Sequence, residues 1–212
     1  MHLALLGDST LDNAPYTNGG PAVIDHLSSR LTGDDRATLL AVDGAISEMV
    51  PAQVEQRPSS ATHLLLSVGG NDALRAASLL SRPADRVEEG IRAIADAVAR
   101  FEQAYRSALA AVMGTGLPTT VCTIYTGDFH DAETQRVINA ALRMYNDVIL
   151  QAALDQECPV IDLRRVCTEP ADYTQQIEPT VQGGRKIAKA IHQAHHQPET
   201  STVRVGPAGM RL

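Results

Sequence analysis

The 212-residue chain carries a formal net charge of −7, and 44% of its residues are hydrophobic and 20% charged. These values are typical of a globular domain. The acidic balance excludes a nucleic-acid or anionic-membrane binder, because such proteins need basic clusters. Only 3% of the residues are aromatic and there is no Trp, which leaves few platforms for stacking bases or sugar rings. We therefore expect a small-molecule ligand.

The cysteine count and the lack of long apolar runs bear on the location of the protein. Cys122, Cys158 and Cys167 have no metal-site spacing, and an odd set of this kind favours reduced thiols. We expect no signal peptide before the first strand, and no apolar run approaches the ~20 residues of a membrane span. We predict a cytoplasmic protein and leave its oligomeric state open.

The predicted elements alternate between strands and helices along the chain. Short apolar runs predict strands at 2–6, 36–42, 62–68, 119–124 and 160–162. Amphipathic stretches predict helices at 21–31, 46–56, 83–113, 132–156 and 182–196, with a separate turn at 72–80. This order predicts a three-layer α/β/α sandwich with a five-stranded parallel sheet. We expect residues 1–196 to form a single domain and residues 197–212 to form a polar, flexible tail.

The ends of three predicted strands carry residues suited to catalysis. The first strand runs into Gly-Asp-Ser ending at Ser9, the second into Asp-Gly ending at Gly44, and the third into Gly-Gly-Asn-Asp containing Asn71 and Asp72. Strand ends of this kind meet at one edge of a parallel sheet, where ligands bind. An Asn amide there can donate to an oxyanion, and a Gly lets its N–H approach a ligand. Helix capping by Asn71 or Asp72 and a simple turn at Gly44 are the alternatives.

Together these blocks resemble the first three sequence blocks of the SGNH (GDSL-like) hydrolases. Residues 179–188 also resemble the segment that leads into the last helix of that family, and the likeness spans residues 3–190. The resemblance implies a flavodoxin-like strand order 2-1-3-4-5 and Ser9 as nucleophile. It also implies an oxyanion hole made by the N–H groups of Ser9 and Gly44 and the side chain of Asn71. Family activities are mostly hydrolysis of esters and thioesters or removal of acyl groups from sugars, without a cofactor.

The chain departs from the family at the Asp-x-x-His block, where it has Gln175 and Glu178. A Glu with an ordinary pKa of about 4.3 is ionised at neutral pH but is a weak base toward a hydroxyl. Burial that raised this pKa would make Glu178 a usable base, and the Gln175 amide could donate to it. We therefore predict a hydrolase of esters or related acyl substrates that uses Ser9, Glu178 and Gln175. The alternative is an SGNH-fold protein that binds a small acyl or sugar-like ligand without turnover.

Three residues near the same edge are candidates for accessory roles, namely Asp8, Asp72 and His130. His130 follows the fourth predicted strand and is flanked by acidic residues, so it could approach Ser9 or the substrate. A solvent-exposed loop histidine is the favoured alternative. The other six histidines are predicted at strand starts or within helices, away from Ser9. Although several carboxylates lie near this edge, no loop has the spacing of a calcium site, and we predict no metal site.

Overall fold

The computed structural model describes residues 1–196, and the predicted tail at 197–212 lies outside the described residues. Five parallel strands form one sheet in the order β2-β1-β3-β4-β5. They are β1 (His2–Gly7), β2 (Arg36–Leu39), β3 (His63–Ser67), β4 (Thr119–Cys122) and β5 (Val160–Ile161). This arrangement confirms the predicted fold class. A short antiparallel hairpin of β6 (Tyr173–Thr174) and β7 (Glu178–Pro179) was not predicted.

In the described part of the chain, six α-helices cover the two faces of the sheet. They are α1 (Val23–Ser28), α2 (Val50–Glu55), α3 (Gly70–Arg75), α4 (Val87–Met113), α5 (Ala132–Asp155) and α6 (Val181–His196). The segment predicted as a turn before α4 is α3 followed by a 3-10 helix, Ala77–Ser81. α4 begins at Val87 rather than at 83, because Arg86 has extended backbone angles and ends the preceding loop. Within residues 1–196, no helix has the length and apolar character needed to cross a bilayer.

Alternation along β1 builds a separate hydrophobic core on each side of the sheet. Ala4 and Leu6 pack with α2, α4 and α5, whereas Leu3 and Leu5 pack with α1 and α6. All four side chains are fully buried, as expected for a strand covered on both faces. The loop that follows β1 therefore leaves the centre of a rigid sandwich, flanked by the loops after β2 and β3.

Candidate active site

The loop after β1 is fixed by a glycine and by a glutamine from α2. Gly7 has a φ of +132°, and a Cβ at this position would lie 1.8 Å from the carbonyl oxygen of Ser67. Only glycine fits so close a backbone approach. The Gln53 side chain accepts from the Gly7 N–H at 2.7 Å and donates to the Gly7 carbonyl at 2.9 Å. These contacts set the direction in which the chain leaves β1 and thus the position of Ser9.

Ser9 lies in a pocket of about 190 Å³ at the carboxyl edge of the sheet. The walls come mainly from α3, the 3-10 helix after it, α4 and α5, and most of their side chains are apolar. They include Leu74, Leu79, Leu80, Ile94, Ile138 and Leu142. The polar lining is limited to a few groups, among them Asp8, Ser9, Asn71 and Glu178. A pocket of this composition suits an uncharged apolar group with its reactive end at Ser9.

Glu178 is held in this pocket by hydrogen bonds to the residues on both sides of it. The Tyr125 hydroxyl donates to the carbonyl of Ile177 at 2.6 Å, and the Asn13 amide donates to the carbonyl of Pro179 at 3.0 Å. Asn13 is fully buried and also accepts from the N–H of Val23 at 2.8 Å. The backbone of Glu178 is therefore fixed relative to the loop that carries Ser9.

The Glu178 carboxylate is buried in the pocket that Ser9 also lines. Its side chain is only 8% exposed, and its Oε2 atom has no hydrogen-bond partner within residues 1–196. Burial raises the pKa of Glu178, the Ser9 hydroxyl lowers it, and the charge of Asp43 raises it further. The two side chains do not form a well-aligned hydrogen bond in the free protein, but such contacts often tighten only when substrate binds. A carboxylate in this setting is a stronger base than an exposed one.

A second carboxyl group, that of Asp8, is buried beside Ser9. Burial raises the pKa of Asp8 to about 7, hydrogen bonds from Thr10 oppose the shift, and the charges of Glu178 and Asp72 add to it. The Thr10 N–H donates to Asp8 Oδ1 at 3.0 Å. Asp72 also has a raised pKa because of burial, and it accepts from the Ser47 N–H and hydroxyl at 3.1 Å. The hydrogen bonds of Asp8 and Asp72 thus fix the loops around the pocket, and each carboxyl group adds negative charge there when it is ionised.

The three groups expected to bind an oxyanion lie on neighbouring loops. Within residues 1–196, neither the Ser9 N–H nor the Gly44 N–H donates to a backbone carbonyl. Asn71 lines the pocket, and its amide donates to the carbonyl of Ala45, the residue after Gly44, at 3.0 Å. Gly44 has a φ of +77°. Both backbone N–H groups are therefore without a backbone acceptor, and Asn71 links the pocket to the loop that carries Gly44.

Residues 5–200 match the sequence profile of the GDSL-like Lipase/Acylhydrolase family. The chain belongs to this family. It is therefore a hydrolase, and the family match favours an enzyme over a protein that only binds its ligand. No curated protein matches the chain.

Solved structures of similar fold include two named lipolytic enzymes. The extracellular lipase of Streptomyces rimosus is 19% identical with a TM-score of 0.68, over 92% of this chain and 99% of that one. Phospholipase A1 from Streptomyces albidoflavus NA297 is 17% identical with a TM-score of 0.64, over 87% and 94%. A lipolytic G-D-S-L family member from Veillonella parvula DSM 2008 is 15% identical with a TM-score of 0.67, over 94% and 99%. At these identities the likeness shows a shared fold.

In this GDSL-like hydrolase the structure does not bring Gln175 or His130 to Ser9. Both side chains are exposed and line a separate polar pocket of about 440 Å³ together with Asp128 and Tyr173. Gln175 and Gln176 have φ values of 48° and 71°, so the chain reverses direction between β6 and β7. Within the described residues Gln175 makes no hydrogen bond to Glu178. The reversal directs its amide away from the Ser9 pocket.

Three residues that position the site of this GDSL-like hydrolase were not predicted from the sequence. Asn13 and Tyr125 hold the backbone around Glu178, and Gln53 holds Gly7. One signal for Gln53 was available. It lies on the same helical face as Val50 and Val54, and a polar residue on an apolar face usually has a buried partner. Within residues 1–196, no group of three or more His, Cys, Asp or Glu side chains is arranged to hold a metal ion.

Proposed function

We propose that this GDSL-like hydrolase cleaves carboxylic esters with Ser9 as nucleophile and Glu178 as general base. The observation that carries the proposal is the buried Glu178 carboxylate, which lines the same mostly apolar pocket as Ser9. A hydroxyl nucleophile needs an adjacent base that is itself held in place. Asn13 and Tyr125 supply that restraint through the backbone on either side of Glu178.

The proposed reaction proceeds through an acyl-enzyme. Glu178 accepts the hydroxyl proton as Ser9 Oγ bonds to the ester carbonyl carbon, and the carbonyl oxygen becomes an oxyanion. The N–H groups of Ser9 and Gly44 and the Asn71 amide stabilise that oxyanion. As the tetrahedral intermediate collapses, the bond to the leaving oxygen breaks and protonated Glu178 donates to it, which releases the alcohol. Glu178 then accepts a proton from water, the water oxygen attacks the acyl carbon, and the acid leaves as Ser9 recovers its proton.

The apolar pocket next to Ser9 is the proposed site of the acyl chain. Its walls offer aliphatic side chains such as Leu79 and Leu142 and few polar partners, so burial of an alkyl chain stabilises the complex by about 0.8 kcal/mol per methylene. Two proteins of similar fold, the Streptomyces rimosus lipase and the Streptomyces albidoflavus phospholipase A1, support an acyl substrate. We therefore propose a neutral acyl chain of several carbons rather than an acid or sugar on this side.

The test is the initial rate of p-nitrophenyl ester hydrolysis by the wild type and two variants across pH 5 to 9. We expect Ser9→Ala to lower kcat by at least about 10⁴-fold and Glu178→Gln to lower it by about 10²- to 10⁴-fold. Because burial raises the pKa of Glu178 above its ordinary value of 4.5, the wild-type rate should rise with pH through an ionisation above that value. Glu178→Gln should remove this dependence.

Two exposed residues provide matched controls for this test. His130→Ala and Gln175→Ala change side chains that line the separate polar pocket, and we expect both to retain wild-type rates within about twofold. A large loss in His130→Ala with a normal rate in Glu178→Gln would identify His130 as the base and overturn the assignment of Glu178. A wild-type rate equal to that of Ser9→Ala would overturn the proposed nucleophile.

The cysteines support a proposed cytoplasmic location. Cys122, Cys158 and Cys167 are all buried and free, and burial raises the pKa of each thiol. Free thiols are typical of proteins kept in a reducing compartment. Measuring where the full-length protein accumulates in cell fractions would test the location.

A further inference from the structure

The two sides of Ser9 differ in chemistry. The helices that follow β3 and β4 form the apolar pocket. On the other side lie the loops after β1 and β2, because these strands are neighbours at that end of the sheet. These loops carry Asp12, Tyr16 and Asp43, none of which lines the apolar pocket. If the acyl chain occupies the apolar pocket, we expect the leaving alcohol to lie on the side of these three residues.

The residues on this second side are bonded to one another. The Tyr16 hydroxyl donates to both carboxylate oxygens of Asp43, at 2.9 and 3.1 Å. The Asp43 N–H donates to Asp12 Oδ2 at 3.0 Å. Burial, the bond to Asp43 and the negative charges of Glu178, Asp43 and Asp12 all raise the pKa of Tyr16. The acidic side, as we term this region, therefore consists of Asp12, Tyr16 and Asp43 together with Glu178, which lines the apolar pocket as well.

No cation offsets these charges among the described residues. Within residues 1–196, none of the three carboxylates of the acidic side takes part in a salt bridge. The Oε2 atom of Glu178 also lacks any donor, although this side chain is only 8% exposed. A buried carboxylate oxygen without a donor or cation is costly, so each such atom calls for an explanation. A bound group that supplies an N–H and a positive charge would remove the cost.

We propose that the acidic side selects esters whose leaving alcohol carries a protonated amine, so that the preferred substrate is an apolar acyl ester of an amino alcohol. This inference rests on the proposed function and names its substrate class. The ammonium N–H would donate to Glu178 Oε2 or to Asp43, while the acyl chain occupies the apolar pocket. Hydrolysis would convert the ester and water into a carboxylic acid and the amino alcohol. Anionic leaving groups are disfavoured by the same carboxylates.

A pair of isosteric esters tests the proposal. In 2-(dimethylammonio)ethyl butyrate and 3-methylbutyl butyrate the acyl chains are identical, and a protonated nitrogen in one replaces a CH group in the other. We expect wild-type kcat/KM at pH 7 and low ionic strength to be about tenfold higher for the cationic ester, the effect of one incompletely screened charge interaction. Because salt screens such interactions, the preference should shrink as ionic strength rises to about 0.5 M.

Variants that each remove one carboxylate charge test whether the preference for the cationic ester comes from the acidic side. Asp43→Asn removes one charge and leaves an acceptor for Tyr16, and we expect the ratio of kcat/KM for the two esters to fall severalfold. Glu55→Gln removes an exposed carboxylate from the end of α2 and should leave the ratio unchanged. Equal kcat/KM for both esters in the wild type, or a ratio that Asp43→Asn leaves unchanged, would overturn the inference.

Binding to Ser9→Ala separates this inference from the proposed function. Titration calorimetry of the same two esters against Ser9→Ala measures selection without turnover. Tighter binding of the cationic ester with no Ser9-dependent hydrolysis would support the acidic-side site and reject the esterase. Ser9-dependent hydrolysis of both esters with equal binding would support the esterase and reject the acidic-side site.

Discussion

The loop that carries Ser9 and the wall of the apolar pocket are held by different forces. In the Ser9 loop, residues 7–13, Gly7 is bonded to Gln53 of α2, the Asp8 N–H donates to the carbonyl of Ser67, and Asn13 bonds to Pro179. Every one of these partners is distant in sequence. Such bonds fix a loop relative to the whole sheet.

Residues 74–94, which form part of the wall of the apolar pocket, have no such bonds. Within the described residues, their side-chain hydrogen bonds join only close neighbours, Ser81 to Ser78 and Arg92 to Glu88. Val87 and Ile91 are 81% and 61% exposed. This difference indicates that the proposed chemistry depends on long-range polar contacts that tolerate little substitution. The proposed choice of acyl chain depends instead on the volume of apolar side chains. Substitutions in the loop should therefore act on folding and turnover, and those around the pocket on selectivity.

The largest effect is expected at Gly7. Gly7→Ala would place a Cβ 1.8 Å from the carbonyl oxygen of Ser67, on a backbone with a φ of +132°. Because neither β1 nor β3 can move without disturbing both cores, we expect a loss of more than about 5 kcal/mol in the free energy of unfolding. Urea unfolding followed by circular dichroism measures it.

Gly116 provides the control that separates a steric clash from backbone strain. It also has a positive φ, +71°, but a Cβ there meets nothing within 4 Å. Gly116→Ala should cost only about 1 kcal/mol. If the two variants lost similar stability, the tight approach of β1 to β3 would not be what fixes the Ser9 loop.

The second largest effect is expected in Asp8→Asn, whose free energy of unfolding should exceed that of the wild type by an amount that depends on pH. Burial raises the pKa of Asp8 from 3.8 to about 7. Between these two pKa values the folded protein keeps a proton on Asp8 that the unfolded chain has lost. The free energy of unfolding therefore falls as pH rises, and the full cost of ionising the buried Asp8 is present above pH 7. At about 1.4 kcal/mol per pH unit, the variant should be more stable than the wild type by about 4 kcal/mol at pH 8.5 and by little below pH 4.

Urea unfolding at both pH values measures this difference directly. Asp34→Asn removes an exposed carboxylate and controls for the loss of one charge. A gain of the same size at pH 4 and pH 8.5 would mean that the buried charge of Asp8 is not responsible. It would also weaken the contrast between a strained polar loop and a tolerant apolar wall.

The sequence predicted the fold better than the details of the site. The alternation of Leu3 and Leu5 with Ala4 and Leu6 is characteristic of a strand buried on both faces, and the resemblance supplied the strand order. The β6–β7 hairpin was missed because its two-residue strands, Tyr-Thr and Glu-Pro, are not apolar runs, unlike the Val-Ile of β5. Its turn depends on left-handed backbone angles at Gln175 and Gln176, which non-glycine residues adopt rarely.

The hairpin also explains why the partner expected for Glu178 is absent from the pocket. A spacing of three residues would bring Gln175 and Glu178 together in a helical turn, but here the chain reverses between them. The residues that hold Glu178 are instead Asn13 and Tyr125, more than 50 residues away along the chain in each case. Contacts of this kind depend on the packed fold and are not visible in a local motif. The roles of Ser9, Gly44, Asn71 and Glu178 remain predictions that the variants above test.

The smallest expected effect lies in the apolar pocket and concerns selectivity alone. Ala141 of α5 lines the pocket, whereas the adjacent Ala140 is exposed and does not. Ala141→Leu fills space that an acyl chain would occupy, so we expect kcat/KM for p-nitrophenyl octanoate to fall about tenfold. This corresponds to the loss of roughly two buried methylenes at about 0.8 kcal/mol each. The kcat/KM for p-nitrophenyl acetate should change less than twofold, because a two-carbon acyl group stays near Ser9.

Ala140→Leu is the matched control and should leave the ratio of kcat/KM for the two esters unchanged. A matching fall for both esters in Ala141→Leu would show that the pocket wall shapes the reacting groups as well as the acyl chain, and the separation between a fixed loop and a tolerant wall would no longer hold.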